Sequence, residues 1–267
     1  MRGFTMFKGV VSLAVCSWLA GAGNVLAQIA VTNNPTQDAF VRSMNSTNNY
    51  GAAGALSVSG STATNSTGSP GGLLDSFLQF NVSSDITNFN GTFGVGQWAI
   101  SSVTLGVTAQ SPNNVVFNYG VGQFAVNWLG NNSWQEGTGT PSSPTTNGIT
   151  YAQESSLLNS NVDEALGAFT YGGATSGRMN MSLGLTPGFV SEISTGSLIS
   201  LFMTAISNSV GFTFNSENFM TASSRPSLII TAVAVPEPST MVLLGTSYMI
   251  LAAMARRRRK NKHASAD

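Results

Sequence analysis

The chain has one cysteine and one histidine in 267 residues, Cys16 and His263, and each lies close to an end. The stretch from residue 28 to residue 235 therefore has neither thiol nor imidazole. Ser-His-Asp and Cys-His catalysis, histidine-ligated zinc or copper, thiolate metal sites and disulfides all drop out for that stretch. Lysine is missing from it as well. Three arginines (Arg42, Arg178 and Arg225) face nine carboxylates, which leaves a net charge of minus six. Three scattered arginines cannot supply the phosphate contacts on which nucleic-acid affinity rests, so no nucleic-acid partner is expected. The overall charge of zero is a cancellation between this acidic middle and two basic ends. Lacking cysteine, the middle must be held by its apolar core alone, even where export would permit disulfides.

Both ends read as targeting segments. Met1 to Lys8 is short and basic, Gly9 to Ala22 is apolar and uncharged, and Val25-Leu26-Ala27 places modest or small residues where signal peptidase requires them. Residues 1–27 are thus expected to be a secretory signal, cleaved between Ala27 and Gln28. At the other end Val235-Pro236-Glu237-Pro238 precedes an apolar stretch to Ala255, then Arg256, Arg257, Arg258, Arg259 and Lys260. A helix over residues 239–255 would be about 25 Å long, just short of the roughly 30 Å hydrocarbon core. It is a marginal transmembrane span. The basic cluster would stay on the cytoplasmic side and leave residues 261–267 as a cytoplasmic tail. The two prolines stop the helix from running back into the body, leaving an accessible segment at the membrane face.

This tail, over Val235 to Lys260, resembles the PEP-CTERM sorting signals of exopolysaccharide-producing Gram-negative bacteria. The Pro-Glu-Pro signature, the short apolar helix and the arginine cluster occur in that order. The resemblance implies recognition by an exosortase, transient residence in the inner membrane, and delivery to the cell envelope or its extracellular matrix. Tails of this kind also carry a label drawn from ice-binding proteins, some of which have them; the label describes the tail and implies nothing about ice. An ordinary anchor would share the length and charge, and the Pro-Glu-Pro placement favours sorting.

The body, residues 28–235, is rich in Gly, Ser, Thr and Asn and holds most of the chain's aromatic residues. Such aromatic content argues against a disordered stalk. Period-two runs between turn signals predict strands at Ala39–Arg42, Ala55–Ser59, Phe77–Val82, Ile100–Ala109, Val115–Tyr119, Phe124–Trp128, Met179–Leu185, Leu198–Ile206, Gly211–Phe214 and Ser227–Val233. Thr186 as cap, Pro187 at the first position, Val190 and Ile193 three apart and Gly196 at the end predict one short helix. With no repeat of 20 to 45 residues, the expectation is an all-β, jelly-roll-like β-sandwich.

Several segments of the body resemble the DNRLRE-type domain, a family of exported β-sandwiches related to a polysaccharide-binding module. The resemblance rests on Asp38-Ala39-Phe40-Val41-Arg42 with Asn49-Tyr50-Gly51; on Asp75 to Ser83; on Ser133-Trp134-Gln135-Glu136-Gly137 with Gly148-Ile149-Thr150-Tyr151; and on Phe214 to Glu217 with Arg225 to Leu228. Gln79 stands where a basic residue is usual, Asn81 where Asp is usual and Tyr151 where Trp is usual. These departures weaken any ligand contact that needs charge. Arg42, Tyr50, Trp134, Glu136 and Tyr151 are expected to be structural. Glu136 would brace its own loop by accepting backbone N–H groups, Arg42 would offset a carboxylate, and Asn49-Tyr50-Gly51 reads as a turn.

The sequence thus points to a non-catalytic surface or matrix protein that contacts exopolysaccharide, with Trp98, Trp128 and Tyr171 as equal candidates for sugar stacking. The alternative is a structural or adhesive matrix protein with no sugar site. A carboxylate-based glycan-degrading enzyme is a third reading, for which no spacing identifies an acid and a base, so no catalytic residue is assigned. No dense Asp-x-Asp loop occurs, and neither a metal nor a cofactor is expected.

Overall fold

The computed structural model describes residues 27–112, 118–235, 245–254 and 256. In chain order the elements are β1 (Gln28–Asn33), β2 (Pro35–Arg42), β3 (Ala55–Ser59), β4 (Leu74–Asn81), α1 (Ser83–Phe93), β5 (Trp98–Thr108), β6 (Gly122–Leu129), α2 (Tyr151–Leu157), β7 (Glu164–Tyr171), β8 (Arg178–Leu183), α3 (Pro187–Thr195), β9 (Leu198–Ala205), β10 (Gly211–Asn215) and β11 (Ser227–Ala234). The strands pair antiparallel into two sheets. One has four strands in the order β1-β11-β5-β8; the other has seven, β10-β3-β4-β9-β6-β7, with β2 also on β4. Together they make a β-sandwich whose core is shared between the inner faces of both sheets.

The period of two explains where each side chain goes. On β4, Leu74, Leu78 and Phe80 enter the main core between the sheets, while Phe77 faces the other way. On β9 the same alternation sends Ile199, Leu201 and Met203 inward and Phe202 outward. In most antiparallel sheets the outward face meets water. Here it is covered. Phe77 and Phe202 pack with Ala39, Val41, Leu129, Trp134, Ile149 and Leu157 in a second cluster, roofed by the segment between β6 and β7 that carries α2. The body is therefore three layers deep over its large sheet, which is why β4 is buried along nearly its whole length.

Nine of the ten expected strands lie on observed ones, with shifts of up to four residues at their ends. Of the expected strand at 115–119, residues 115–117 lie outside the described residues. Strands β1 and β7 and helices α1 and α2 are additions. The signals for both helices were present: Ile86, Phe89 and Phe93 recur at helical spacing in α1, with Phe89 fully buried, and Thr150 with Gln153 forms a capping box at the start of α2. Helix α3 falls where expected, with Pro187 in its first turn and Gly196 left-handed at φ 73°. Its cap is different. The Thr186 side chain accepts nothing from the helix; Glu164 on β7 takes the Gly188 and Phe189 amides at 2.9 and 2.8 Å, and Thr186 donates to the same carboxylate.

The first and last strands of the body lie side by side. Gln28 on β1 pairs with Val233 on β11, the Ala234 amide donates to the Ala27 carbonyl, and the Val235 amide donates to Gln97. The polypeptide enters and leaves the sandwich at one pole. Beyond it, residues 245–254 are helical. No helix of the described residues is long and apolar enough to cross a membrane. The signal up to residue 26, Pro236, Glu237, Pro238 and the cluster from Arg257 to Lys260 lie outside the described residues.

Candidate functional site

The residues of the body's motifs converge on the rim where β2, the roofing segment and the turn after β10 meet. Asn49 is at the centre and fully buried. Its amide donates to the carbonyls of Glu136 (2.6 Å) and Ile149 (2.9 Å), and its carbonyl oxygen accepts the amides of Gly51 and Gly139, both at 3.1 Å. One side chain ties together the turn after β2 and both ends of the 137–148 loop. Glycine is required around it: a Cβ on Gly139 would sit 1.9 Å from the Asn49 carbonyl oxygen. Trp134, 3% exposed, plugs the second core and donates from Nε1 to Ser200 Oγ at 3.0 Å. Tyr50 stacks on Phe40 with ring centroids 4.7 Å apart.

Two groups of acids flank this rim. Asp38, Glu136 and Glu217 form the first. The Asp38 carboxylate accepts the Glu217 amide at 2.6 Å, Glu136 accepts Asn218 Nδ2 at 3.0 Å, and Glu136 and Glu217 share a hydrogen bond between their side chains. Burial, followed by the Glu217 charge, pushes Glu136 up to about 7. Burial likewise holds Asp38 well above the carboxylate range. The second group lies beneath α2, where Asp75 on β4 meets Glu154. Burial pushes Asp75 up to about 6; burial and then the Asp75 charge push Glu154 to about 8. Asp75 Oδ1 and Glu154 Oε2 have no N–H or O–H donor of their own, as expected when two carboxyls share one proton. Tyr151 lies beside this pair, its hydroxyl held up by burial and then by the Glu154 and Asp75 charges.

Neither acid group has the form of a glycosidase pair. Those carboxyls stand roughly 5 to 9.5 Å apart with sugar between them. Here each pair is joined by a hydrogen bond, and Asp75 is only 3% exposed. The remaining acids have structural partners. Asp163 accepts the Gly130 and Asn159 amides, Asp85 accepts Asn33 Nδ2, Glu192 accepts Asn132 Nδ2, and Glu164 caps α3.

Two role assignments change. Among the described residues Arg42 bonds no carboxylate: it donates from Nε to the Gly71 carbonyl, from Nη1 to Asn45 Oδ1 and from Nη2 to Met44 Sδ. Glu136 reaches across to Asp38, Glu217 and Asn218 instead of bracing its own loop, because the roofing segment folds back onto β2. The three candidate stacking rings also separate. Trp128 and Tyr171 are 5% and 2% exposed and belong to the main core, so neither offers a face to a sugar. On their strands the inward positions are Phe124, Val126 and Trp128, and Leu166 and Tyr171, and the core takes the largest rings. Trp98 alone is half-buried. It packs on Phe89, donates to Asn90 Oδ1 at 2.8 Å, and lines a shallow groove of about 470 Å³ with Ile86, Val95 and Val190.

Three open clefts lie near the rim or on it. One, of about 410 Å³, runs over the roof past Trp134 and Gly148. The other two share Phe40 and Pro141. The larger, about 350 Å³, descends to Ser57, Leu74 and Thr213; the smaller, about 150 Å³, is bounded by Arg42, Asn45 and Tyr50. Trp134, Gln135, Gly148 and Ile149 of the middle motif line the first, and Phe40, Arg42 and Tyr50 of the opening motif line the other two. Residues 29–138 match carbohydrate-binding module family 96, and residues 234–260 match the PEP-CTERM protein-sorting motif. The chain thus pairs a match to a carbohydrate-binding module with a match to a protein-sorting motif behind it. The module match runs from β1 through β6 and ends just after Trp134 and Glu136. The later strands β7 to β11 complete the same two sheets. No curated protein matches the chain.

Proposed function

We propose that the protein is exported, recognised by an exosortase at Pro236-Glu237-Pro238, and placed at the cell envelope or in the extracellular matrix, where its sandwich contacts polysaccharide without cleaving it. The observation that carries this reading is the presence, on one chain, of a carbohydrate-binding-module match and a sorting-motif match. In this reading residues 1–27 are the signal, 28–235 the sandwich, 236–260 the sorting segment with its membrane helix, and 261–267 a cytoplasmic tail. Two features of the fold support it. The cut between Ala27 and Gln28 falls at the first residue of β1, so signal peptidase would spare every strand residue and remove only the bond from the Ala234 amide to the Ala27 carbonyl. Pro236-Glu237-Pro238 follows β11 after a single residue, so a cut there would spare the last strand.

Fractionation of producing cells with and without the sorting protease tests this. With the protease, mass spectrometry should find a chain that starts at Gln28 and ends near the motif, in the envelope or matrix fraction and retained by the cells' exopolysaccharide. Without it, the longer chain should stay with the inner membrane. An intact chain in the soluble cell interior would overturn the proposal. The burial of Trp128 and Tyr171 favours a second reading, a structural or adhesive matrix protein, because it removes two of the three rings assigned to sugar stacking. Failure of the matrix-located chain to be retained by the exopolysaccharide would select it.

A further inference from the structure

We infer that the cleft between Phe40, Pro141 and Phe219 is the polysaccharide site and that it takes an uncharged chain; this rests on the polysaccharide-contacting reading above. Its walls combine apolar surface from Phe40, Leu74, Pro141 and Phe219 with hydroxyls from Ser57 and Thr213. A sugar ring has the matching pair of surfaces, an apolar C–H face and a hydroxyl rim. The volume, about 350 Å³, lies within the range of small-ligand sites, which is roughly 300 to 1,000 Å³. Gln110 also lines the cleft, and its buried Oε1 has no partner among the described residues. That oxygen needs a donor. Sugar hydroxyls supply one.

Charge sets the ligand class. Among the described residues no charged side chain lines the cleft. Arg42, in the neighbouring notch, already has partners on Nε, Nη1 and Nη2. Arg225, which donates from Nε to the Phe219 carbonyl at 2.8 Å, and the acids Asp38, Glu136 and Glu217, which adjoin Asn218 next to Phe219, flank the wall with opposite signs without lining the cleft. Position agrees with display. Strand β5 starts at Trp98, paired with Ala234 where the chain leaves for the sorting motif, and ends at Thr108, two residues before Gln110. About 35 Å of extended strand separates the cleft from the pole that faces the membrane in the precursor. The Trp98 groove is at the near pole instead.

A direct test uses the full chain and exopolysaccharide from the producing cells, split on an anion exchanger into uncharged and acidic fractions. Gly54 lies in the cleft wall, and a Cβ there meets nothing within 4 Å. Gly54→Trp should therefore fill the cleft without disturbing the fold, and Phe219→Ala should remove a wall. The expected result is retention by the uncharged fraction, weakened about tenfold or more by each of these variants and unchanged by Trp98→Ala. Preference for the acidic fraction would overturn the charge assignment. Equal binding by Gly54→Trp and the parent, with unfolding midpoints unchanged, would overturn the location. Retention of the parent by neither fraction would instead remove the polysaccharide reading, and this inference with it.

Discussion

Replacing Asn49 by alanine is the sharpest test of how the rim is held. The side chain satisfies two carbonyls and two amides, all within 3.1 Å, at a position with no solvent exposure. Alanine would leave four backbone groups without partners. Each costs about 1–3 kcal/mol when buried and unmet. The 137–148 loop is exposed over most of its length, so water will reach some of them, and the expected net loss is about 4 kcal/mol. That is a large part of the 5–15 kcal/mol typical of a domain. With a urea slope of about 2 kcal/mol per molar, the unfolding midpoint of Asn49→Ala should fall by about 2 M at unchanged slope. Asn49→Asp keeps both acceptors but sets a carboxylate oxygen against two carbonyl oxygens, and it should be no more stable than alanine. A loss below about 1 kcal/mol for both variants would refute the claim that this one side chain holds the rim.

Other consequences follow from the same geometry. Asp75, Glu136 and Glu154 bind protons more tightly folded than unfolded, so their contribution to stability weakens as pH rises from about 4 toward about 8. Thermal melts between pH 5 and pH 9 should decline at the alkaline end, and Glu154→Gln, which keeps a donor toward Asp75, should flatten the decline and melt higher than the parent at pH 8. Glu164 has the opposite sign. Burial is the largest single influence and raises it, but the bonds from Thr186, Gly188 and Phe189 together outweigh that and hold it below its ordinary value, so its contribution is lost as pH falls through the lowered pKa. Glu164→Ala should cost about 1 kcal/mol, the size of a helix cap, read from the urea midpoint at pH 7. Trp134→Phe and Ser200→Ala should couple by about 1 kcal/mol in a double-mutant cycle, and additive losses would mean the Nε1 bond contributes nothing.

The legible part of the fold was the part governed by a single local pattern. Alternation of Val103, Leu105 and Val107 against polar partners marked β5 because only one of its faces is buried. Strand β7 escaped because Ala165, Gly167 and Ala168 dilute its pattern, and α1 because its Asn, Thr and Gly residues are poor helix formers. The third layer was the larger omission. A strand buried on both faces, such as β4, carries its second set of inward residues as Asp75, Phe77 and Gln79, and the polar ones look solvent-facing in sequence. Their partners, Glu154, Gln37 and Ser200, are 42 to 121 residues or more away, and nothing local announces them. The same distance effect misassigned the rings. Trp98, Trp128 and Tyr171 are equivalent in composition; which faces water depends on whether its strand position points into the core.

The pairing of β1 with β11 links the fold to its proposed route. The four-stranded sheet cannot close until its last strand exists, because β11 lies between β1 and β5. In that route signal cleavage would free β1 at its first residue, and Pro236-Glu237-Pro238 follows β11 after a single residue, Val235, whose amide is already held by Gln97. The segment from Val235 to the helix at residue 245 reaches at most about 35 Å. In that route a sorting protease acting at the motif would work against a folded pole, within a few residues of Gln97, the partner of Val235. Pole-disrupting changes should act on sorting before they act on binding. Val95 is 83% exposed and lines the near-pole groove, so Val95→Arg should leave the urea midpoint and polysaccharide retention intact. Its effect should fall on the fraction of chain that loses its tail, measured by mass spectrometry of the membrane and matrix fractions. Tail removal at the parent rate, with binding weakened, would separate the near pole from sorting and break the division of labour between the two ends of the sandwich.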